Sequence, residues 1–275
     1  MKKLIPIFLL LFCVTAGAQN FEGTIKWSMK MEISDPATKA KMEEARKKMS
    51  DPAMQAKMKE MQAKMNDPQM KAMMDANPQM KAQMEGAMKM MQGGDFNAMI
   101  PKGFTIKIKG QNTLTKVEGG MMAMDILYLK DKDQSYHLDR QNKTYSVIGT
   151  NQPNQKSSTT PPPKVIKTAE TTKILNYTCT KYRVEIAAGE RMINQVIWAT
   201  TEIKDLDLKS LAKHRLAQGQ TIFYEGVEGV PLRVESNMTE GNMSMEVTEI
   251  KREGLSAAEF IIPSDFKETQ GMFGN

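Results

Sequence analysis

"FEGTIKWSMKMEI" (Phe21–Ile33) sets Phe21, Gly23, Ile25, Trp27, Met29, Met31 and Ile33 in alternation with mostly polar residues. A period of two sends every second side chain to the same side of an extended chain, so the stretch predicts a strand with one apolar face. "FTIKIKG" (104–110) repeats the pattern with Phe104, Ile106 and Ile108. "DILYLKD" (125–131), "QSYHLD" (134–139) and "KTYSVIG" (143–149) predict short strands separated by polar turns at Lys130–Gln134 and Arg140–Lys143. Further along, "PKVIKTAE" (163–170), "TKYRVEIA" (180–187), "QVIWATTEI" (195–203), "QTIFYEG" (220–226), "VPLRVES" (230–236) and "SMEVTEI" (244–250) continue the series. About ten to twelve strands at hairpin spacing imply an antiparallel sheet, apolar on one face. "LDLKSLAKHRLAQG" (206–219) predicts a helix stopped by glycine, and "GLSAAEFIIPSDFK" (254–267) an extended closing segment.

The expected organisation has several parts. Lys2 and Lys3, the apolar run Leu4–Val14 and Ala16-Gly17-Ala18 fit a cleavable signal peptide over 1–18. The apolar run is too short to span a bilayer, and no second such run follows, so no transmembrane segment is expected. Cys13 is preceded by bulky Phe12, which does not suit lipidation. The β-rich core occupies 19–33 and 101–268, a Met-rich insertion 34–100, and a tail 269–275. "TNQPNQKSSTTPPPK" (150–164) reads as a linker or long loop inside the core. The fold class is thus α+β, an antiparallel sheet with a helical insertion. The formal charge of +6 includes Lys2 and Lys3 and is spread along the chain, so no nucleic-acid partner is expected. With Cys13 in the signal segment, Cys179 is left without an intramolecular disulfide partner, and burial as a small apolar residue suits it better than a reactive role.

Between Asp35 and Asp95 every large apolar residue is methionine. Ser34-Asp35-Pro36, Ser50-Asp51-Pro52 and Asn66-Asp67-Pro68 recur every sixteen residues, and Asn77-Pro78 opens a shorter unit. Asp or Asn accepts hydrogen bonds from first-turn N–H groups, Pro suits the first helical position, and the residue before Pro avoids the α region. Each unit therefore predicts a short helix. Met54, Met58, Met61 and Met65 line one side of the second, Met70, Met73 and Met74 the third, and Met80, Met84, Met88 and Met91 the last. These eleven are the candidate ligand-binding residues. Three readings stay open: packing of the stripes, an adaptable surface for hydrophobic ligands, and soft-metal binding of Cu(I) or Ag(I) by thioethers. His137 and His214 are too few for a histidine-rich metal site, Asp131, Asp133 and Asp139 fit no calcium loop, and no phosphate loop or nucleophile elbow occurs. No enzyme, resident metal or cofactor is expected.

Two resemblances add to this reading. "TTKILNYTCTKYRVEI" (171–186), "VIWATTEI" (196–203), "GVPLRVE" (229–235), "FIIPSDFK" (260–267) and the opening "FEGTIKWSMKM" resemble an exported family catalogued as domain of unknown function 4412. Its members are similar in outline to the lipoprotein-carrier fold, which implies an incomplete barrel around an apolar cavity and a lipid-like ligand. "NDPQMKAMMDANPQMKAQMEGAMKMM" (66–91) resembles the Asp-Pro, Met-rich repeats of Hop-type and ubiquilin-type co-chaperones, which implies a groove for apolar peptides or acyl chains. Together they imply an exported protein, periplasmic or outer-membrane-associated, that holds an apolar ligand between sheet and helices. A structural envelope protein without ligand is the remaining alternative.

Overall fold

The computed structural model describes residues 20–65, 67–71, 101–119, 124–148, 161–188, 191–206, 208, 223–237 and 241–269. The strand predicted from Phe21–Ile33 is β1 (Glu22–Ile33), and it lies in the middle of the sheet. The strands β2 (Gly103–Lys109), β3 (Asn112–Glu118), β4 (Asp125–Leu129), β5 (Gln134–Asp139) and β6 (Thr144–Ile148) follow one another as a meander on one side of it. On the other side β11 (Gly241–Arg252) pairs with β1, then come β10 (Val230–Asn237), β9 (Arg191–Thr200), β8 (Tyr177–Ala188) and β7 (Lys164–Ile174). A two-residue strand, β12 (Lys267–Glu268), adds in parallel to β6; the other pairings are antiparallel. Among the described residues β7 and β12 do not pair with each other, so the curved sheet stays open.

Register explains where the core sits. Ile25 lies opposite Ile106, Ile106 opposite Thr115, Thr115 opposite Ile126, and Ile126 opposite His137. On the far side Met245 lies opposite Val234, Val234 opposite Ile197, and Ile197 opposite Tyr182. Directly opposite residues share a face, so the face that carries Trp27 and Phe104 is apolar over β1, β2 and β8–β11, whereas over β3–β5 it also carries Thr113, Thr115 and His137. The stacked rings of Trp27 and Phe104 have centroids 5.4 Å apart at the centre.

The opposite face is divided. Over β8–β11 it carries ion pairs such as Lys181–Glu170 and Arg233–Glu246. Over β3–β5 it carries Leu114, Leu127, Leu129, Tyr136 and Leu138, which pack with Phe260, Leu255, Ile262 and Phe266 of the C-terminal segment. The expectation of one apolar face is corrected here: half of the second face is apolar too, because the chain's end covers it. That end is not simply extended, since Ala257–Phe260 form a 3-10 helix capped by Ser256. Glu259 pairs with Lys107 of β2, and the Leu255 N–H donates to Glu22 Oε1 at 2.7 Å, fastening the segment to the strands beneath.

Strand β3 has no alternation to read because Thr113, Leu114 and Thr115 are all buried. A strand covered on both faces loses its period-2 signature. The predicted "QTIFYEG" strand is also corrected. Its described part, Phe223–Gly226, is coil and turn, as Gly226 takes a φ of +93° and the Val227 N–H closes a turn by donating to the Tyr224 carbonyl.

Between β1 and β2 the chain forms α1 (Pro36–Ser50) and α2 (Pro52–Met65), and residues 68–71 are helical. Asp35 Oδ2 accepts from the Thr38 N–H at 2.6 Å, Asp51 Oδ1 from Ala53 N–H at 2.8 Å, and Asp67 Oδ1 from Gln69 N–H at 2.9 Å. Each Asp-Pro therefore starts a helix through the same side-chain cap. No helix among the described residues is long and apolar enough to cross a membrane.

Candidate ligand-binding site

The described residues between β9 and β10 pack on the core cluster that contains Trp27. Ile203 and Leu206 bury themselves against the core, and the Phe21 N–H donates to the Asp205 carbonyl at 2.9 Å. Asp205 also pairs with Arg252, whose guanidinium lies over the Phe21 ring. Farther on, Phe223, Tyr224 and Val227 pack on the same core. The Tyr224 hydroxyl donates to Gln195 Oε1 at 2.9 Å; Gln195 lies opposite Val184 and Ser236 on β8 and β10. Lys167 of the edge strand β7 pairs with Glu228 at 2.6 Å, and a Cβ at Gly226 would sit in ordinary contact with Val165, from 3.4 Å, so the φ of +93° and not crowding is what favours glycine there.

These residues form a half-open cavity of about 400 Å³ lined by Leu208, Phe223, Tyr224, Glu225, Gly226, Val227, Gly229 and Pro231. Apart from Glu225 and the glycines the lining is aliphatic and aromatic. Its polar handle is the Tyr224 hydroxyl, pushed up to about 12 by burial, so it stays neutral at ordinary pH. A volume of several hundred Å³ with few polar groups suits an acyl chain or an apolar side chain. Tyr224 and Gln195 were not among the predicted site residues. The cue was "YEGVEGVP" (224–231), where two glycines three apart favour a turn over a strand.

The predicted methionines are only partly placed. Met54 and Met70 are half-buried, and the backbones of Met58, Met61 and Met65 continue α2. Met73, Met74, Met80, Met84, Met88 and Met91 lie outside the described residues, as do His214 and most of the predicted 206–219 helix. A second, more open cavity of about 730 Å³ at the end of α2 is lined by Glu60, Ala63, Lys64, Asp67, Gln69 and Met70, a mostly polar set.

The other candidate side chains have structural work. Asp139 accepts from the Gln141 and Asn142 N–H groups and from Asn142 Nδ2, and Asp133 accepts from the Tyr128 hydroxyl at 2.6 Å, so both belong to turns. Half-buried His137 is held below the usual histidine range by burial, which Asp139 and Asp125 partly offset. Among the described residues no three His, Cys, Asp or Glu side chains form a metal cluster.

Cys179 is fully buried, and its thiol is pushed up to about 11 by that burial. The unfolded thiol ionises first, near 9, so stability is intact below pH 9 and declines as pH rises toward 11, by about 2–3 kcal/mol at the limit. Urea titrations between pH 8 and 11 are expected to show this decline and Cys179→Ala to flatten it. Ellman's reagent is expected to react with the native thiol only as fast as the chain unfolds; rapid labelling of the folded protein contradicts the assignment.

A family model for a domain of unknown function (DUF4412) matches residues 84–266, two-thirds of the chain. The match does not reach β1, although β1 joins the two halves of the sheet. A search of curated proteins finds no significant match. Among solved structures, the chain is similar to PNGF-II at 15% identity and a TM-score of 0.36, over 61% of this chain and 28% of that one. It is similar to Mycobacterium tuberculosis lipoprotein LppX at 6% identity and a TM-score of 0.30, over 86% and 89%. Mycobacterium bovis LprF gives 9% identity and 0.29, over 62% and 85%. The chain spans little more than a quarter of the PNGF-II length, and these scores lie below the level of a shared fold.

Proposed function

We propose that this chain, which belongs to the DUF4412 family, is an exported envelope protein that binds an apolar ligand reversibly. The observation that carries the reading is the cavity of about 400 Å³ lined by Leu208 and the Phe223–Pro231 segment, whose Phe223, Tyr224 and Val227 also pack on the core of the sheet. Burying apolar ligand surface there supplies about 25 cal/mol per Å². The half-buried, neutral Tyr224 hydroxyl, which donates to Gln195, can accept one polar contact without the cost of burying a charge. The ligand class is a lipid, an acyl chain or the apolar side chains of an unfolded peptide. The methionines of the 34–100 segment, including Met54, Met58, Met61, Met65 and Met70, are assigned a second, adaptable part in holding such a ligand, because thioether side chains repack easily. Binding of this kind requires no catalyst: Cys179 is buried and the candidate aspartates serve turns.

The test is native mass spectrometry of the protein purified from its own host, followed by titration of the stripped chain with a dansylated undecanoic acid. A co-purifying apolar molecule and micromolar binding are expected. Val227→Trp, which narrows the cavity, is expected to weaken binding at least tenfold with an unchanged melting temperature. Replacing Met54, Met58, Met61 and Met65 with leucine is expected to retain it. Absence of any bound molecule together with no saturable probe binding refutes the proposal.

A further inference from the structure

Five methionines lie in the described strands, and four of them meet at one place. Met29 of β1 lies directly opposite Met245 of β11, and Met31 directly opposite Met243. Opposite residues in an antiparallel pair share a face with Cβ atoms about 4.5–5.5 Å apart, and alternate residues along a strand share it at about 7 Å. The four side chains thus make a two-by-two patch on the Trp27 face. Exposure grades across it: Met245 is buried, Met29 and Met243 are half-buried, and Met31 is 37% exposed.

The choice of residue calls for a reason. Elsewhere the same face uses Ile25, Ile106, Val234, Ile197 and Val247, the branched residues that favour strands. Methionine gives up that preference and packs less specifically, but it adds a thioether at the end of three rotatable bonds. Beside the patch, Ser236 lies opposite Met243; it is 2% exposed, and its Oγ has no hydrogen-bond partner among the described residues. A buried hydroxyl without a partner is costly unless something else occupies it.

The geometry points to a soft monovalent cation site, for Cu(I) or Ag(I), built from the thioethers of Met29, Met31 and Met243, with Met245 behind them and Ser236 Oγ alongside. Thioether sulfur is a soft, neutral donor that prefers such ions to Zn(II) or Mg(II). A neutral donor set leaves a single positive charge on the bound ion, which costs less to bury than the double charge a divalent ion would keep on the same donors. The open side at Met31 is the entry. None of these residues lines the cavity beneath Phe223–Pro231, although Ser236 lies opposite Gln195, the partner of the Tyr224 hydroxyl.

The test is titration of the full mature chain, labelled with 13C at the methionine methyls, with silver nitrate in chloride-free buffer. Methyl resonances are assigned by single Met→Leu changes, which conserve volume and fold. The first equivalent is expected to shift Met29, Met31 and Met243 ahead of Met54, Met58, Met61 and Met65. Met31→Leu with Met243→Leu is expected to weaken the tightest site at least tenfold while dansyl-acid binding stays unchanged. The proposal is overturned if the helix methionines shift first, or if the double variant binds silver within twofold of the parent.

Discussion

Trp27→Ala is expected to lower stability by about 3–5 kcal/mol, read as a fall in the urea midpoint with an unchanged slope. The indole is 5% exposed, stacks on Phe104, and sits on the strand that joins the two halves of the sheet. Its deletion leaves a void where the pairings of β1 with β2 and β11 meet, a place with little freedom to collapse. Trp27→Phe is expected to cost less than about 1.5 kcal/mol. The reason is specific: Nε1 is buried and has no hydrogen-bond partner among the described residues, so the replacement loses ring area but no hydrogen bond. Equal losses for the two variants would mean that Nε1 is bonded in the folded protein.

Gly229→Ala is expected to cost at least about 3 kcal/mol and to abolish dansyl-acid binding. Gly229 has a φ of +89°, in the left-handed region, and a Cβ there would lie 2.1 Å from the Thr200 carbonyl oxygen. Backbone strain alone costs about 1–3 kcal/mol, and the clash forces apart the adjoining Val230–Thr200 pair that starts β10 on β9. Gly229 and Pro231 both line the cavity, so the displacement reaches the ligand directly. Gly254→Ala is the control: nothing lies within 4 Å of a Cβ at that position. It is expected to leave stability unchanged or raise it by about 0.4–1 kcal/mol. A Gly229→Ala protein as stable as the Gly254→Ala protein would contradict the assignment.

The central strand was readable because its residues alternate between one apolar environment and a more polar one. The Asp-Pro helix starts were readable because capping is local, within three residues of Asp35, Asp51 and Asp67. β3 was hidden because burial on both sides erases alternation. The roof over the cavity was hidden because Phe223 and Tyr224 look like strand residues until the positive φ of Gly226 and Gly229 is known. The Tyr224–Gln195 bond and the Met29–Met245 pair were hidden for another reason. They depend on strand order, which brings together residues 29 and 216 positions apart, and no local pattern encodes such distances.

The place of β1 also governs the order in which the molecule can assemble. Made from amino to carboxyl end, the chain yields β1 before the other described strands. β1 cannot complete its pairing until β11, ending at Arg252, has emerged. The bond from the Thr24 hydroxyl to Glu253, between groups 229 residues apart, forms later still. The meander β2–β6 can dock on β1 early, but the half built from β7–β11 has no central edge to join until β11 arrives. Closing loops this long before their contacts form is slow, and such topologies fold in milliseconds to seconds. A chain of this design remains unfinished, with an open edge on β1, for nearly its whole synthesis.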